Sequence, residues 1–417
     1  MYKFRIGSPT KPLLSFISIT SLVLLTLYPN GAMAASKSNE AGSLACKKGA
    51  ITVGIAKAAS GGASFFDLAG TRGLMIAIDE INAAGGIKGC KIKTISGDSK
   101  SDPAIAAEVA KSMVARGAQI LVVPDDFDGG IAAAKVGQAA GVLTLSLAAS
   151  STQFGKAVGN LFFSGGITTT ELGLAQARVV LDSKLMTCYQ VIDPGLAYDT
   201  EQDTSFRKLY LANGGNVLGS STADTLAGQT DYSAIISKIK AANPAVIQAL
   251  MVFPGTGTFV KQLRAAGVTT PVVSNLTFQT RDLPKLVGDS GSNNLTYAEQ
   301  VYFEGAGVDP KTDPKILTFT KEYQNRFGIF PEQANAPGAY QTFTAIAKAL
   351  QQPLVVDAKT AVSAIRKQSN LKVPGGTLVG WKDGYAVWNP LIVGISNGKF
   401  NFLQTLNAND LRIAAGM

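Results

Sequence analysis

The chain has 417 residues, 46% of them apolar, and its 38 Lys and Arg against 29 Asp and Glu give a formal charge of +9. At about 100–200 residues per domain this length predicts two or three domains, and the apolar fraction excludes a disordered chain. The sequence contains no histidine, which excludes Ser-His-Asp and Cys-His nucleophiles, histidine-ligated zinc and HExxH chemistry.

Other features of the sequence remove further classes of protein. The basic residues are scattered, whereas a nucleic-acid partner calls for clusters, and three cysteines are too few for a disulfide framework. Gly255 and Gly257 lack the third glycine of a dinucleotide loop, because Val260 stands there. A hydrolase using Asp125 and Asp126 is the enzymatic alternative, but neighbouring aspartates of one loop do not reach opposite sides of a bond. We therefore expect no nucleic-acid partner, cofactor, metal or enzyme activity.

Residues 1–34 have the pattern of a secretory signal peptide. Three basic residues precede an apolar stretch over 13–27, and Ala32-Met33-Ala34 offers a small-residue cleavage site. The stretch is shorter than the roughly 20 residues that a spanning helix needs. We expect export and a mature chain that begins near Ala35, with an uncleaved N-terminal anchor as the alternative.

The first unit of the mature chain alternates β-branched runs with amphipathic stretches, which is typical of parallel strands joined by helices. Asp102 and Pro103 are suited to the N-cap and first position of one of these helices. The predicted elements, in chain order, are strand 51–55, helix 67–84, strand 91–96, helix 103–116, strand 119–123, helix 130–139 and strand 142–146.

The same alternation then starts again, which predicts a second α/β unit. Its predicted elements are helix 171–181, strand 186–192, helix 199–212, strand 216–221, helix 232–242, strand 245–253, helix 257–266 and strand 272–274. The last third changes character, with an extended piece from Tyr302, helices over 314–327, 336–350 and 358–367, and a hairpin over 384–404 around Ser396-Asn397-Gly398. Because no low-complexity linker separates the units, several chain crossings are favoured over two independent domains.

The order of motifs resembles the solute-binding proteins of branched-chain amino acid ABC transporters, the leucine/isoleucine/valine-binding protein-like family. Its specific motif is Ala-x-x-x-Ile-Asn-x-x-Gly-Gly-Ile-x-Gly, present here over 77–89. Further matches are TDYSAII over 230–236, KQLRAAG over 261–267 and AYQT over 339–342. The resemblance extends over about residues 47–405.

This resemblance implies a type I periplasmic binding protein, with two Rossmann-like lobes of parallel sheet flanked by helices and joined by three crossovers. The first lobe would comprise 46–165 plus 301–383, and the second 166–300 plus 384–417. It further implies a monomer in the periplasm that captures a small solute, amino acid-like or an amide, between its lobes and delivers it to an inner-membrane ABC permease. A ligand-sensing partner of a receptor is the alternative.

The family's ligand contacts fall on one set of positions in this sequence: Ser60, Asp125, Asp126, Ala148, Ala149, Ser150, Ser151, Tyr198, Phe253, Leu276, Thr277 and Tyr340. Residues 148–151 would hold the ligand carboxylate through backbone N–H groups and a hydroxyl. Leu276 and Thr277 stand where amino-acid binders place the glutamate that pairs with the ammonium. Either Asp125 or Asp126 takes over the ammonium, or the solute is an aromatic or aliphatic carboxylate without one, packed on Tyr198, Phe253 or Tyr340.

The three cysteines also give a prediction. Cys46 precedes the first predicted strand and Cys90 the second, and neighbouring parallel strands bring these ends together. In an oxidising compartment this favours a Cys46–Cys90 disulfide, with two unpaired thiols as the alternative. Cys188 lies inside a predicted strand and should stay a buried thiol.

Overall fold

Residues 42–225 and 227–417 are described by a computed structural model, and the predicted signal peptide over 1–34 lies outside them. The strands of the described residues are β1 (Ala50–Lys57), β2 (Lys91–Asp98), β3 (Ile120–Val122), β4 (Leu143–Ser146), β5 (Phe162–Ser164), β6 (Thr187–Ile192), β7 (Asn216–Thr222), β8 (Val246–Leu250), β9 (Val272–Ser274), β10 (Leu295–Glu299), β11 (Leu371–Val373), β12 (Gly376–Lys382), β13 (Tyr385–Trp388), β14 (Leu391–Ser396) and β15 (Lys399–Thr405).

The helices alternate with these strands over most of the chain. They are α1 (Ser64–Ala83), α2 (Pro103–Ala115), α3 (Phe127–Ala139), α4 (Phe154–Val158), α5 (Thr169–Asp182), α6 (Ala197–Ala212), α7 (Ser233–Ala242), α8 (Gly255–Ala265), α9 (Asp282–Val287), α10 (Pro314–Phe327), α11 (Asn335–Leu350), α12 (Ala358–Arg366) and α13 (Ala408–Ala414). Within the part of the chain described here, no helix is both long and apolar enough to cross a membrane.

The strands form two sheets. The first has the order β11-β12-β13-β5-β4-β3-β1-β2 and the second β15-β14-β10-β9-β8-β6-β7. Strands β1 to β5 pair in parallel, as do β6 to β10, while β12 and β14 run antiparallel to their neighbours. The central strands β3, β4 and β8 are mostly apolar and buried along their whole length, as expected for parallel strands covered by helices on both faces. The predicted fold class is confirmed.

Close packing of α1 on α11 holds the first sheet's helices together. A Cβ added at Gly73 of α1 would lie 1.9 Å from the carbonyl oxygen of Ala336, so only glycine allows this approach. The disulfide partners lie at the strand entrances of the same sheet: Cys46 and Cys90 are bonded, with their Cα atoms 5.8 Å apart. Cys188 is a buried free thiol, and burial raises its pKa to about 12.

The chain passes three times between the sheets, and the crossings are hydrogen-bonded to one another. The carbonyl of Gly165, in the first crossing, accepts hydrogen bonds from the Thr342 hydroxyl at 3.0 Å and the Trp388 indole at 2.8 Å. Gln300, in the second crossing, accepts from the Ile167 amide at 2.8 Å and donates to Gln341 at 2.9 Å. These contacts tie all three crossings into one buried junction.

The last crossing differs from the prediction in one respect. Tyr385–Trp388, assigned by the sequence to the second lobe, forms β13 and pairs with β5 of the first sheet. The chain therefore leaves the first sheet after Trp388, whereas the expected boundary was 383/384. The hairpin prediction is confirmed for β14 and β15, whose turn residues Asn397 and Gly398 have φ values of 48° and 72°. The other lobe boundaries stay a prediction.

Candidate functional site

The strand ends at which the sequence placed the ligand contacts meet between the two sheets. Glu201, near the start of α6 after β6, accepts hydrogen bonds from the Ser151 hydroxyl and the Gln153 side-chain amide, both at 3.0 Å. Ser151 and Gln153 follow β4 of the first sheet, so the carboxyl ends of parallel strands from both sheets face this junction. Open α/β sheets bind their ligands at such ends.

A run of unused backbone donors lies at this junction. The N–H groups of Ala149, Ser150 and Ser151, which we call the amide triplet, donate to no oxygen of the described residues. The carbonyls of the same loop are used: Ala149 accepts from the Ser164 hydroxyl at 2.6 Å, and Ser150 from the Thr169 amide at 2.9 Å. The loop is thus anchored through its oxygens, with its donors available to an anion.

Asp125 is part of a buried ion cluster with Lys57 and Asp67. One carboxylate oxygen pairs with the Lys57 ammonium, and the other accepts from the amides of Leu147 at 3.1 Å and Ala148 at 3.2 Å. The Asp125 amide in turn donates to Asp67 at 2.9 Å. The Asp125 carboxylate is therefore already paired, and it fixes the backbone immediately before the amide triplet. The sequence pattern did not identify Lys57.

In the buried ion cluster the single cation of Lys57 is shared by two carboxylates. Burial alone lowers the pKa of Lys57, but the carboxylates of Asp125 and Asp67 outweigh it and raise that pKa above its ordinary value. Burial raises the pKa of Asp67 to about 6. A solute ammonium would have to displace Lys57 to reach Asp125, and breaking a buried pair leaves an uncompensated charge.

Asp126 and Ser60 serve local structure. Asp126 caps α3, its carboxylate accepting from the Gly129 amide, and burial raises the pKa of its carboxyl. Ser60 is exposed, and its hydroxyl donates to Asp98 at 2.6 Å at the end of the edge strand β2. That bond, with backbone amides, lowers the pKa of Asp98 to about 2. Neither side chain is brought to the amide triplet by a contact in the structure.

On the second-sheet side, Tyr198 and Asp199 stand in the first turn of α6. The Tyr198 hydroxyl is buried and makes no hydrogen bond with the described residues, although it lies toward the backbone of Leu276. Asp199 is fully buried, and Asn275 donates to one of its oxygens at 2.7 Å. Burial, with the nearby charge of Asp193, raises the pKa of Asp199 well above its ordinary value. Asp199 is therefore a buried acid whose charged form is disfavoured by its surroundings.

The remaining second-sheet positions supply apolar surface. Phe253 and Leu276 are half-buried at the ends of β8 and β9. The Thr277 hydroxyl donates to Asn275 at 2.7 Å and lies 3.2 Å from the Thr256 hydroxyl, so its polar atom is used locally. At these positions no carboxylate takes the place of the missing glutamate.

The structure does not bring Tyr340 to this junction. Its ring is 4.8 Å from that of Phe319 in the packing of α11 and α10, and its hydroxyl donates to Glu80 of α1 at 2.7 Å. Burial raises its pKa. The neighbours of Tyr340, Gln341 and Thr342, face the crossings. A contact between Tyr340 and a solute stays a prediction.

Glu201 is the residue at the junction that sequence reasoning missed. Besides Ser151 and Gln153 it accepts from the Thr169 hydroxyl at 2.6 Å. All three donors are neutral, and no Lys or Arg among the described residues forms an ion pair with it. Its spacing of three residues from Tyr198 places both on one helix face, the signal that could have found it.

Comparisons with known proteins show the family of the chain. The family model described as "Periplasmic binding protein" matches residues 50–396. The Leu/Ile/Val-binding protein homolog 1 of Brucella suis is 24% identical over 378 residues, covering 85% of this chain and 93% of the relative.

Solved structures share the fold. The substrate binding protein LivJ of Streptococcus pneumoniae, in complex with isoleucine, matches with a TM-score of 0.73 and 23% identity, covering 86% of this chain and 99% of its own. An ABC transporter solute binding protein of Rhodopseudomonas palustris, in complex with 3,4-dihydroxybenzoic acid, matches with a TM-score of 0.73 and 18% identity. The match covers 87% of this chain and 98% of that protein.

Proposed function

We propose that this chain, which belongs to the periplasmic binding protein family, captures a small amino acid-like solute between its two sheets and delivers it to an ABC permease in the inner membrane. The family inferred from the sequence motifs is confirmed by the match over residues 50–396. The amide triplet at 149–151 is the observation that carries the proposal.

The amide triplet is suited to a carboxylate. Its three consecutive N–H groups have no acceptor among the described residues, and hydrogen bonds to an ionised acceptor are roughly twice as strong as neutral ones. The Ser150 hydroxyl belongs to the same loop and offers a fourth donor. Because Asp125 fixes Leu147 and Ala148 just before this loop, its donors are held in place before a ligand arrives.

The two similar solved structures support the same group in the ligand. The protein from Streptococcus pneumoniae holds isoleucine and that from Rhodopseudomonas palustris holds 3,4-dihydroxybenzoic acid. These ligands differ in shape and in the presence of an ammonium, but both carry a carboxylate. On the opposite side of the junction Phe253, Leu276 and the ring of Tyr198 offer the apolar surface that an aliphatic or aromatic side chain needs.

The proposal includes a location in the periplasm and a closing movement of the two lobes. The signal peptide pattern over 1–34 supports delivery to the periplasm, where a soluble carrier meets an inner-membrane permease. The three hydrogen-bonded crossings at Gly165, Gln300 and Trp388 would act as the hinge about which the lobes close on the solute.

A thermal-shift screen of the mature chain tests this function. The panel contains the twenty amino acids, several primary amides, benzoate and 3,4-dihydroxybenzoate. A ligand at 100 times its Kd stabilises the native state by about 2.7 kcal/mol, which raises the Tm by several degrees. We expect a carboxylate to give the largest rise and Ser150→Ala to reduce it. A panel in which no solute raises the Tm contradicts the proposal.

A further inference from the structure

We propose that Glu201 is the specificity-determining carboxylate of this site and receives the ammonium of a zwitterionic solute. This inference rests on the proposed function and names its substrate class, an α-amino acid. It assigns to a residue of α6 the pairing with the ammonium, which Leu276 has no carboxylate to provide.

The position of Glu201 fits an α-amino acid, whose carboxylate and ammonium are carried by one carbon atom. Ser151 contributes an N–H to the amide triplet and donates its hydroxyl to Glu201 at 3.0 Å. A carboxylate held by the triplet therefore places its own ammonium next to Glu201.

Glu201 also retains the capacity to accept another donor. A carboxylate has about four acceptor positions. The Oε1 atom uses two of them, for Ser151 and Gln153, and Oε2 uses one, for Thr169. One position on Oε2 remains for an N–H of the solute.

The charge of Glu201 distinguishes it from the other acids near the junction. Asp125 is paired with Lys57, whereas Asp199 is fully buried and already accepts a hydrogen bond from Asn275 at 2.7 Å. Glu201 is half-buried and bonded to neutral donors alone among the described residues, so its charge is not balanced by the protein. A half-buried carboxylate is stabilised by a cation that pairs with it in the same partly dehydrated environment. A zwitterion would supply that cation to Glu201 and a carboxylate to the amide triplet.

The same geometry couples recognition to closure. Glu201 follows β6 of the second sheet, whereas the amide triplet follows β4 of the first. A zwitterion that bonds both groups bridges the sheets, but a carboxylate without an ammonium bonds only the first and brings a second negative charge toward Glu201. The junction should therefore close more tightly on the zwitterion.

Two matched pairs of probes test the inference by isothermal titration calorimetry: L-leucine with 4-methylpentanoate, and L-phenylalanine with 3-phenylpropanoate. The second member of each pair keeps the carbon skeleton and carboxylate and lacks the ammonium. For the wild-type chain we expect at least one amino acid to bind more tightly than its partner. Glu201→Gln, which keeps the side-chain shape, should lower the affinity for that amino acid about 10- to 100-fold, as expected for the loss of a charged hydrogen bond. It should leave the desamino partner unchanged or bound more tightly.

Glu322→Gln is the control, because Glu322 is an exposed glutamate on α10; it should bind every probe as the wild type does. Two results overturn the inference without affecting the proposed function. In the first, neither amino acid binds more tightly than its desamino partner. In the second, Glu201→Gln lowers the affinity for both members of a pair equally, which would mean that Glu201 acts only through its hydrogen bonds between the two sheets. The proposed function itself fails only if no solute of the thermal-shift panel binds the wild-type chain.

Discussion

The Glu201 carboxylate accepts a hydrogen bond from the Ser151 hydroxyl at 3.0 Å, and this bond joins the two sheets of the molecule. It places an acidic side chain that follows a strand of one sheet beside the amide triplet of the other, whose N–H groups have no acceptor in residues 42–225 and 227–417. A site built from an N–H set and a facing carboxylate is complementary to a zwitterion, and this relationship explains how a chain with leucine at 276 could still bind an amino acid.

Asp125→Asn should destabilise the fold. The substitution leaves Lys57 buried without its nearest carboxylate, and breaking a buried pair costs about 3–5 kcal/mol. Urea unfolding of the purified variant measures the loss. Asp128→Asn, at an exposed position in the first turn of α3, should change the unfolding free energy much less. Equal stability of the two variants would show that Lys57 does not depend on Asp125.

Tyr340→Phe should affect stability and leave solute binding unchanged. The substitution removes the hydroxyl that donates to Glu80 at 2.7 Å, at a cost of about 1 kcal/mol, and keeps the ring packed on Phe319. Chemical denaturation measures the first effect and calorimetric titration with the best solute the second. A large loss of affinity would place Tyr340 at the ligand after all.

The buried Glu304 should make stability fall as the pH rises. Burial raises its pKa from 4.5 to about 8, so the folded state binds a proton that the unfolded state releases between these values. Its stabilising contribution is complete below about pH 4.5 and is lost as the pH rises through about 8, by at most about 1.4 kcal/mol per pH unit.

The test of that pH dependence is a set of urea midpoints for the wild type and Glu304→Gln at pH 5, 6, 7 and 8. The Glu304→Gln variant, which cannot ionise at position 304, should show a smaller fall of the urea midpoint with rising pH. Glu322→Gln should show the same fall as the wild type. Parallel curves for wild type and Glu304→Gln would rule out this origin of the pH dependence.

Removing the disulfide should lower stability by about 2–4 kcal/mol, because the Cys46–Cys90 bond restricts the unfolded chain over a separation of 44 residues. Cys46→Ser with Cys90→Ser measures this by denaturant unfolding. Thiol titration of the unreduced wild-type chain in denaturant should find one thiol, that of Cys188. Finding three would mean that the pair does not form.

Much of the fold could be predicted because its signals are local. Runs of β-branched residues, the Asp102-Pro103 helix start and the Asn397-Gly398 turn each act over a few neighbouring residues. The strands β5 and β10 were missed for local reasons too. The first has three residues, and the second ends in Glu299, a buried glutamate that a hydropathy pattern assigns to the surface.

The side-chain roles were harder to predict because they depend on distant partners. Lys57 and Asp125 are separated by 68 residues, and Tyr340 and Glu80 by 260. A sequence pattern shows Asp125 at a strand end and Tyr340 at a helix start, but it does not show that each is already bonded. Glu201 was missed for the same reason, since its partner Ser151 lies 50 residues away.

The most direct test of the account is calorimetric titration of the mature chain with the carboxylate solute that gives the largest thermal shift and with its methyl ester. The ester keeps the carbon skeleton of the solute, adds one methyl group and removes the charge that the amide triplet is proposed to hold. We predict one site per chain for the acid, and an affinity for the ester at least about tenfold lower. Equal binding of acid and ester would contradict the central claim that the donors at 149–151 capture a carboxylate.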